Sequence, residues 1–295
     1  MNYFDPKVLA GVKNLFLRAR TVVDGVLVGI HPSRAKGISA EFEEHRGYTH
    51  GDDPRHIDWK AYAKFDRYVI KEYRNTTNLK AHIVMDVSAS MNYSSNGVSK
   101  FEYASTLAAS LAYLMLKQQD SVGLITYSDK IETMIPPKSA HDHLFAILKS
   151  LEDTVPRGVT SAASVLQDLA ATLKKRGLII LISDLFDQPE TVAKGLKQLR
   201  SRGSEVIVFH LLDPAELNFS FHEPAVFTDM EEDLTLLADP RAIRSAYLET
   251  LQALMAEYRQ VCFSHHIDYV LFETSVGLDR ALTRYLTWRQ TFRTG

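Results

Sequence analysis

The chain has 295 residues, 45% hydrophobic and 24% charged, with ample material for a buried core. Its formal net charge of −2 provides no global field for nucleic acid or an anionic membrane, and its single cysteine, Cys262, excludes an internal disulfide. No apolar run approaches the ~18–20 residues of a membrane span. Asn2, Asp5 and Pro6 interrupt the N-terminus where a signal peptide needs an apolar stretch, so a cytoplasmic location is expected.

Pro6 suits the first position of a helix. Val8, Leu9, Val12, Leu15 and Phe16 follow at helical spacing, with Lys7, Lys13 and Arg18 on the other side. This predicts a helix covering part of a sheet, the alternative being a partner-binding or membrane-surface helix. Residues 22–30 are β-branched and interrupted by Asp24-Gly25, which predicts a short hairpin or bent strand. Residues 29–71 have little periodicity and set charges beside aromatics: Arg46, Tyr48, Asp52, Asp53, Arg55, Asp58 and Trp59. Such a segment is a poor independent core and reads as an irregular layer held by polar contacts. Arg46, Asp52, Asp53, Arg55 and Asp58 can form a charge network, which fixes geometry more reliably than it adds stability. With Trp59, they serve either docking of this layer or recognition of a partner. Residues 68–73 alternate and predict a strand.

The chain is organised around residues 79–91, LKAHIVMDVSASM. Residues 81–85 form a short buried strand, and Asp86, Ser88 and Ser90 then alternate with small or apolar residues. Three short oxygen-bearing side chains can converge from one tight loop. That suits Mg²⁺, which takes oxygen ligands in octahedral geometry; zinc would call for His and Cys. The alternative is a strand-to-turn cap, with Asp and Ser bonding local backbone.

Residues 101–117 read as a helix, 122–127 as a strand, and 131–135 as its hairpin partner across Ser128-Asp129-Lys130. Pro136-Pro137 is expected to break the chain, and 144–151 to form a helix. Arg157-Gly158-Val159-Thr160-Ser161 precedes another helix, and the apolar strand 178–182 ends in Ser183-Asp184. A helix (189–202) and a strand (205–211) follow. Residues 213–240 are acidic and irregular and read as an insertion or hairpin, with Glu231, Glu232 and Asp233 on a solvated face, the alternative being an interaction site. A helix (241–262), a strand (267–272) and a closing helix (278–292) complete the chain. This alternation predicts an α/β fold: a doubly wound, mostly parallel sheet with helices on both faces. In such sheets ligands sit beyond the carboxyl ends of the strands. The strands ending at Asp86 and Asp184 are expected to be neighbours there.

The order strand–Asp-x-Ser-x-Ser, loop Thr, strand–Asp resembles the metal-ion-dependent adhesion site of von Willebrand factor A domains. That resemblance assigns Asp86, Ser88, Ser90, Thr160 and Asp184 to Mg²⁺ or Mn²⁺, the two aspartates often acting through water. The segment GIHPSRAKGISAEFEEHRGYTHGDDPRHIDWKAYAK, running into DVSASM, is similar to the bacterial family called domain of unknown function fifty-eight. These von Willebrand A-like proteins are often encoded beside MoxR-type AAA+ ATPases. The resemblance covers about residues 29–187. It implies a family-specific segment, 1–78, packed on an A domain, 79–295.

By the same resemblance, the protein is a non-catalytic, metal-dependent adaptor with a chaperone-like or complex-assembly role. Its partner is a MoxR-type ATPase or that ATPase's client, whose Asp or Glu completes the metal site. One departure stands out. A domains typically carry Gly-Thr on the second loop and Asp-Gly on the third, whereas this chain has Gly158-Val159-Thr160 and Asp184-Leu185.

Nucleotide-binding glycine loops, His-Glu-x-x-His and Gly-x-Ser-x-Gly are all missing. His141-Asp142-His143 and His265-His266 lack the spacing to share a helix face. Two alternatives to the adaptor stay open. One is a Mg²⁺-dependent phosphotransfer or hydrolytic enzyme, with Asp187 the one nearby carboxylate; the other is a metal-free scaffold.

Overall fold

The computed structural model describes residues 5–30, 45–48, 59, 62, 67–71, 79–173, 176–232 and 234–293. Residues 1–30 and 78–295 group as one unit and residues 31–77 as another. The first thirty residues therefore belong with the large sheet rather than with the segment that follows them.

Helix α1 (Pro6–Ala10) starts at Pro6, with the Asp5 side chain accepting the Lys7 N–H at 2.9 Å. Helix α2 (Leu15–Ile30) replaces the hairpin expected over residues 22–30. Leu15, Ala19, Val22, Val23 and Val26 are all buried at helical spacing, so packing overrides the β preference of the valines. Near its end Gly29 permits close approach, because a Cβ there would lie 2.9 Å from the Thr283 side chain.

In the smaller unit, β1 (His45–Gly47) pairs antiparallel with β2 (Val69–Lys71), within the strand expected over 68–73. Trp59 and Tyr62 meet edge to face, and Tyr62 stacks on Tyr68 with ring centroids 4.5 Å apart.

The larger unit continues with β3 (Lys80–Asp86), α3 (Lys100–Lys117), β4 (Ser121–Tyr127), β5 (Ile131–Lys138), α4 (His143–Asp153) and α5 (Ala162–Thr172). Then come β6 (Leu178–Ser183), α6 (Pro189–Ser201), β7 (Glu205–Leu212), α7 (Pro214–Asn218), and the hairpin β8 (Ala225–Thr228) and β9 (Thr235–Ala238). Helix α8 (Pro240–Ser264), β10 (Asp268–Glu273) and α9 (Leu278–Arg293) close the order. The main sheet runs β10-β7-β6-β3-β4-β5, parallel except for β5. Pro136 and Pro137, expected to break the chain, lie inside β5. An edge strand tolerates them because it has no outer neighbour awaiting their missing N–H.

Successive strand residues point to opposite faces. Ile83, Met85, Ile180, Ile182 and Phe209 join side chains of α2, α3, α4 and α9 in one cluster. Val84, Leu181, Val206 and Val208 join α5, α6 and α8 in another. Helices on both faces explain why β3, β6 and β7 are largely apolar, with β6 an unbroken run over residues 178–182. Among the described residues no helix is long and apolar enough to cross a membrane.

The chain leaves β3 towards β4 on one side and β6 towards β7 on the other. The point of divergence is the β3–β6 pair, where Met85 lies beside Ile182.

Candidate functional site

That pairing delivers Asp86 and Asp184 to adjacent strand ends, both with 0% of their surface exposed. Three loops then close over them. In the first, Asp86 Oδ1 accepts the Ser88 N–H at 2.9 Å. A 3-10 turn at Ala89–Asn92 curls Ser90 back until the Ser88 and Ser90 hydroxyls lie 3.0 Å apart. Ser90 donates to Asp184 Oδ2 at 2.8 Å. In the second, Gly158 sits in the left-handed region at φ +79°, and its carbonyl accepts the Ala89 N–H at 2.9 Å. This ties the second loop to the first and presents Thr160, whose hydroxyl donates to Asp86 Oδ2 at 2.9 Å. In the third, Ser183 donates to the same Asp86 oxygen at 2.8 Å. Asp86, Ser88, Ser90, Thr160 and Asp184, far apart in sequence, thus form one hydrogen-bonded cluster.

The donor set is oxygen only, as a hard cation requires. Among the described residues no three His, Cys, Asp or Glu side chains group as a metal site. His143 instead bonds the Val122 carbonyl at 2.9 Å. A cation would fit the cluster on one further observation: Asp184 Oδ1 is buried and has no hydrogen-bond partner. A buried carboxylate oxygen left so is costly unless something positive meets it.

Part of that charge comes from Lys100, which the sequence reading passed over. Its side chain is 1% exposed, and its ammonium donates to Asp184 Oδ2 at 2.7 Å and to Glu216 Oε1 at 2.6 Å. Burial pulls the ammonium's pKa down, but the Asp184 and Glu216 carboxylates outweigh it and hold the group above its ordinary range. Lys100 is the first residue of α3 and lies within its Ser99–Glu102 capping box. A cation is disfavoured at that positive helix end, and this anomaly is the signal the sequence did carry. Glu216 is held in turn by the Asp213 N–H at 2.7 Å.

Burial, and then the Asp184 charge, push the Asp86 carboxyl above its usual range against the hydrogen bonds from Ser88 and Ser183. Burial pulls the His210 imidazole down to about 4. The neutral ring donates from Nε2 to the Asp184 carbonyl at 2.7 Å, and Nδ1 accepts from the Tyr269 hydroxyl at 2.6 Å. It thereby anchors the main chain under the site. Leu185, where the resembled pattern has glycine, is buried at φ +53° with its N–H on Ser183 Oγ at 3.0 Å. A left-handed non-glycine residue costs about 1–3 kcal/mol and persists where its surroundings over-determine it.

Within the acidic stretch Glu231 departs from the expected solvated face, while Glu232 is exposed. Glu231, in the turn between β8 and β9, accepts the Thr160 N–H at 2.8 Å through Oε2, and its Oε1 is buried without a hydrogen-bond partner. Asp187, the carboxylate considered for an enzyme, accepts the Ala163 and Gln188 N–H groups at 3.3 and 2.7 Å. It serves the starts of α5 and α6. Of the other predicted positions, Asp52, Asp53, Arg55 and Asp58 lie outside the described residues, as does the Arg46 side chain; Trp59 is exposed.

These features define a doubly wound α/β domain with a buried aspartate–hydroxyl cluster at the carboxyl ends of its central strands. Residues 44–257 match the model of the family described as "Protein of unknown function DUF58", and the chain belongs to that family. It is 27% identical over 234 residues to uncharacterized protein Rv1480 of Mycobacterium tuberculosis, covering 77% of this chain and 72% of that one. The Mycobacterium bovis protein Mb1516 matches to the same extent. Among solved structures, the conserved hypothetical protein BatB from Bacteroides thetaiotaomicron aligns with a TM-score of 0.49 at 16% identity, over 72% of this chain and 99% of that one. The SpRpn10 VWA domain aligns with a TM-score of 0.41 at 13% identity, over 70% and 94%.

Proposed function

We propose that the protein is a metal-dependent protein-interaction module. Asp86, Ser88, Ser90, Thr160 and Asp184 would hold Mg²⁺ or Mn²⁺, with a partner's Asp or Glu as the additional ligand. The observation that carries this reading is the convergence of these oxygens from three loops, with Asp184 Oδ1 buried and unmatched. A bound cation would supply positive charge to an incoming carboxylate. The chain's own groups set the site up: Lys100 neutralises one face of Asp184, His210 anchors its backbone, and Gly158 places the threonine loop. Val159, Phe186 and Met230 are exposed close to Thr160, Asp184 and Glu231 in sequence, and apolar residues beside a charged centre suit a protein partner. By the family resemblance, that partner is a MoxR-type AAA+ ATPase or its client, and the role is adaptor-like, without turnover.

Lys100 favours a second reading. Its ammonium already meets Asp184, so the cluster would be a metal-free scaffold. Calorimetric titration of Mg²⁺ and Mn²⁺ into wild type and Asp86→Ala separates the two, with circular dichroism as the folding check. Saturable heat in wild type, lost in a folded variant, supports the metal site. Its absence, with the ATPase present as well as without it, leaves the scaffold.

A further inference from the structure

We propose that the outer edge of β10 is a docking site for an extended acidic peptide, which would join the main sheet as a further strand beside α9. This surface is separate from the aspartate–hydroxyl cluster and needs no metal. The main sheet has two edge strands, β5 and β10, and they are built differently. β5 carries Pro136 and Pro137, whose missing N–H groups and rigid rings obstruct a further strand. β10 has no proline, glycine or lysine. Among the described residues only β7 pairs with it, which leaves its outer row of N–H and C=O groups open to pairing.

A groove of about 610 Å³ lies against this strand, and residues 269–273 all line it in succession. Successive side chains point to opposite faces, so a groove touching every one of them follows the backbone edge. Its other wall is α9, which packs through Leu282 and Tyr285 on the face that holds Phe272. Arg280, Arg284 and Trp288 line the groove at four-residue spacing, and all three are exposed. Arg289 already meets Glu205 and Asp268. The Arg280 and Arg284 guanidiniums have no carboxylate partner among the described residues. Glu273, the strand's own carboxylate on the groove, takes the Ser275 hydroxyl.

Unpaired guanidiniums beside an open strand edge select the occupant. Residues four apart on a helix are separated by about 6 Å along its axis, and alternate residues of a strand by about 6.6 Å. Acidic residues at alternate positions of the added strand therefore match Arg280 and Arg284, and an apolar residue two further on matches Trp288. Main-chain hydrogen bonds would supply affinity, and the alternate side chains specificity. A second copy pairing edge to edge would bring like charges, which favours the acidic peptide.

The test is calorimetric titration of the full chain, in EDTA, with the capped peptide Thr-Val-Glu-Val-Glu-Thr-Val-Thr. EDTA keeps the peptide's carboxylates from reporting on a metal. Saturable binding is expected, and combining Arg280→Glu with Arg284→Glu should weaken it roughly tenfold or more. Both side chains are exposed, so the variant should fold, with circular dichroism as the check. Two N-methylated peptides separate strand addition from charge attraction. Alternate residues of an added strand turn their N–H groups to its neighbour. Methylating the two Glu nitrogens, or instead those of the Val and Thr that follow them, should abolish binding in one case and spare it in the other. No saturable binding overturns the inference. So does binding that the double variant leaves unchanged, or that the two methylated peptides share equally. Hydrogen exchange in residues 268–273 that speeds up on dilution without peptide would assign the edge to a second copy and overturn it likewise. None of these outcomes bears on the metal-dependent reading, which the Mg²⁺ titration decides alone.

Discussion

The middle and the carboxyl end of the central strands obey opposite rules. At the middle, Ile83, Val84, Ile180 and Leu181 send apolar side chains to the two faces and are almost wholly buried. At the end, Asp86, Asp184 and Lys100 are as deeply buried, with His210 beneath them. The middle gains from removing apolar surface from water, about 1.5–3 kcal/mol for each large side chain. The end gathers features that local rules disfavour: two neighbouring carboxylates, a cation at a helix N-terminus, and a leucine at positive φ. Breaches of local rules concentrated at one place mark function rather than stability. The apolar middle makes that concentration affordable.

Lys100 is where the contrast is most easily broken, because there the site end also carries stability. Lys100→Met strands Asp184 and Glu216 as buried, uncompensated charges, and the fold should lose about 3–5 kcal/mol in urea denaturation. Adding Glu216→Gln removes one stranded charge and should recover part of that loss. A loss under about 1 kcal/mol for the single variant would mean that water reaches the pair and the end is not truly interior. Ile180→Ala tests the middle. It should lower stability by about 2–5 kcal/mol while leaving Mg²⁺ affinity unchanged. A parallel fall in affinity would show that the two regions are mechanically coupled.

The same contrast governs what could be read from sequence. The order of strands and helices was legible because burial on both faces writes continuous apolar runs, and Asp86, Ser88 and Ser90 share one local motif. Helix α2 was misread because its valines favour β locally and only packing against α3 and α9 decides otherwise. Pro136-Pro137 carried no sign of lying on a sheet edge. Lys100 and Glu231 were missed for another reason. Lys100 meets Asp184 across 84 residues and Glu231 meets Thr160 across 71, and no spacing rule reports such meetings. Lys100 left a local trace in its place at a helix start; Glu231 looked like any solvated acid.

Gly158→Ala sharpens the contrast at smaller amplitude. A Cβ there would come no nearer than 3.7 Å to its neighbours, so space is available and the penalty lies in the left-handed backbone alone. Stability should fall by about 1–2 kcal/mol. Because the Gly158 carbonyl holds Ala89, Mg²⁺ affinity should fall with it. Unchanged affinity would show that Thr160 reaches the cluster without this loop geometry.

The smallest expected change in stability is the most diagnostic. In Asp86→Asn the side chain keeps its shape and loses its charge. Burial and Asp184 raise the Asp86 pKa in the folded chain, so above that pKa the fold disfavours the charged form relative to the unfolded chain. Removing the charge relieves that strain. Against it stands the weakening of the hydrogen bonds from Ser88, Thr160 and Ser183, each worth about 1.5–3 kcal/mol to a charged acceptor and about 0.5–1.5 to a neutral one. The Ser and Thr hydroxyls can rotate to accept from the new amide, which limits the loss. Stability at neutral pH should therefore change by no more than about 1 kcal/mol in either direction, while on the proposed metal-dependent reading Mg²⁺ binding should disappear, because one of the two proposed ligand charges is gone. A loss above about 2 kcal/mol would assign Asp86 to the architecture, and the strand end would then obey the same rule as the strand middle.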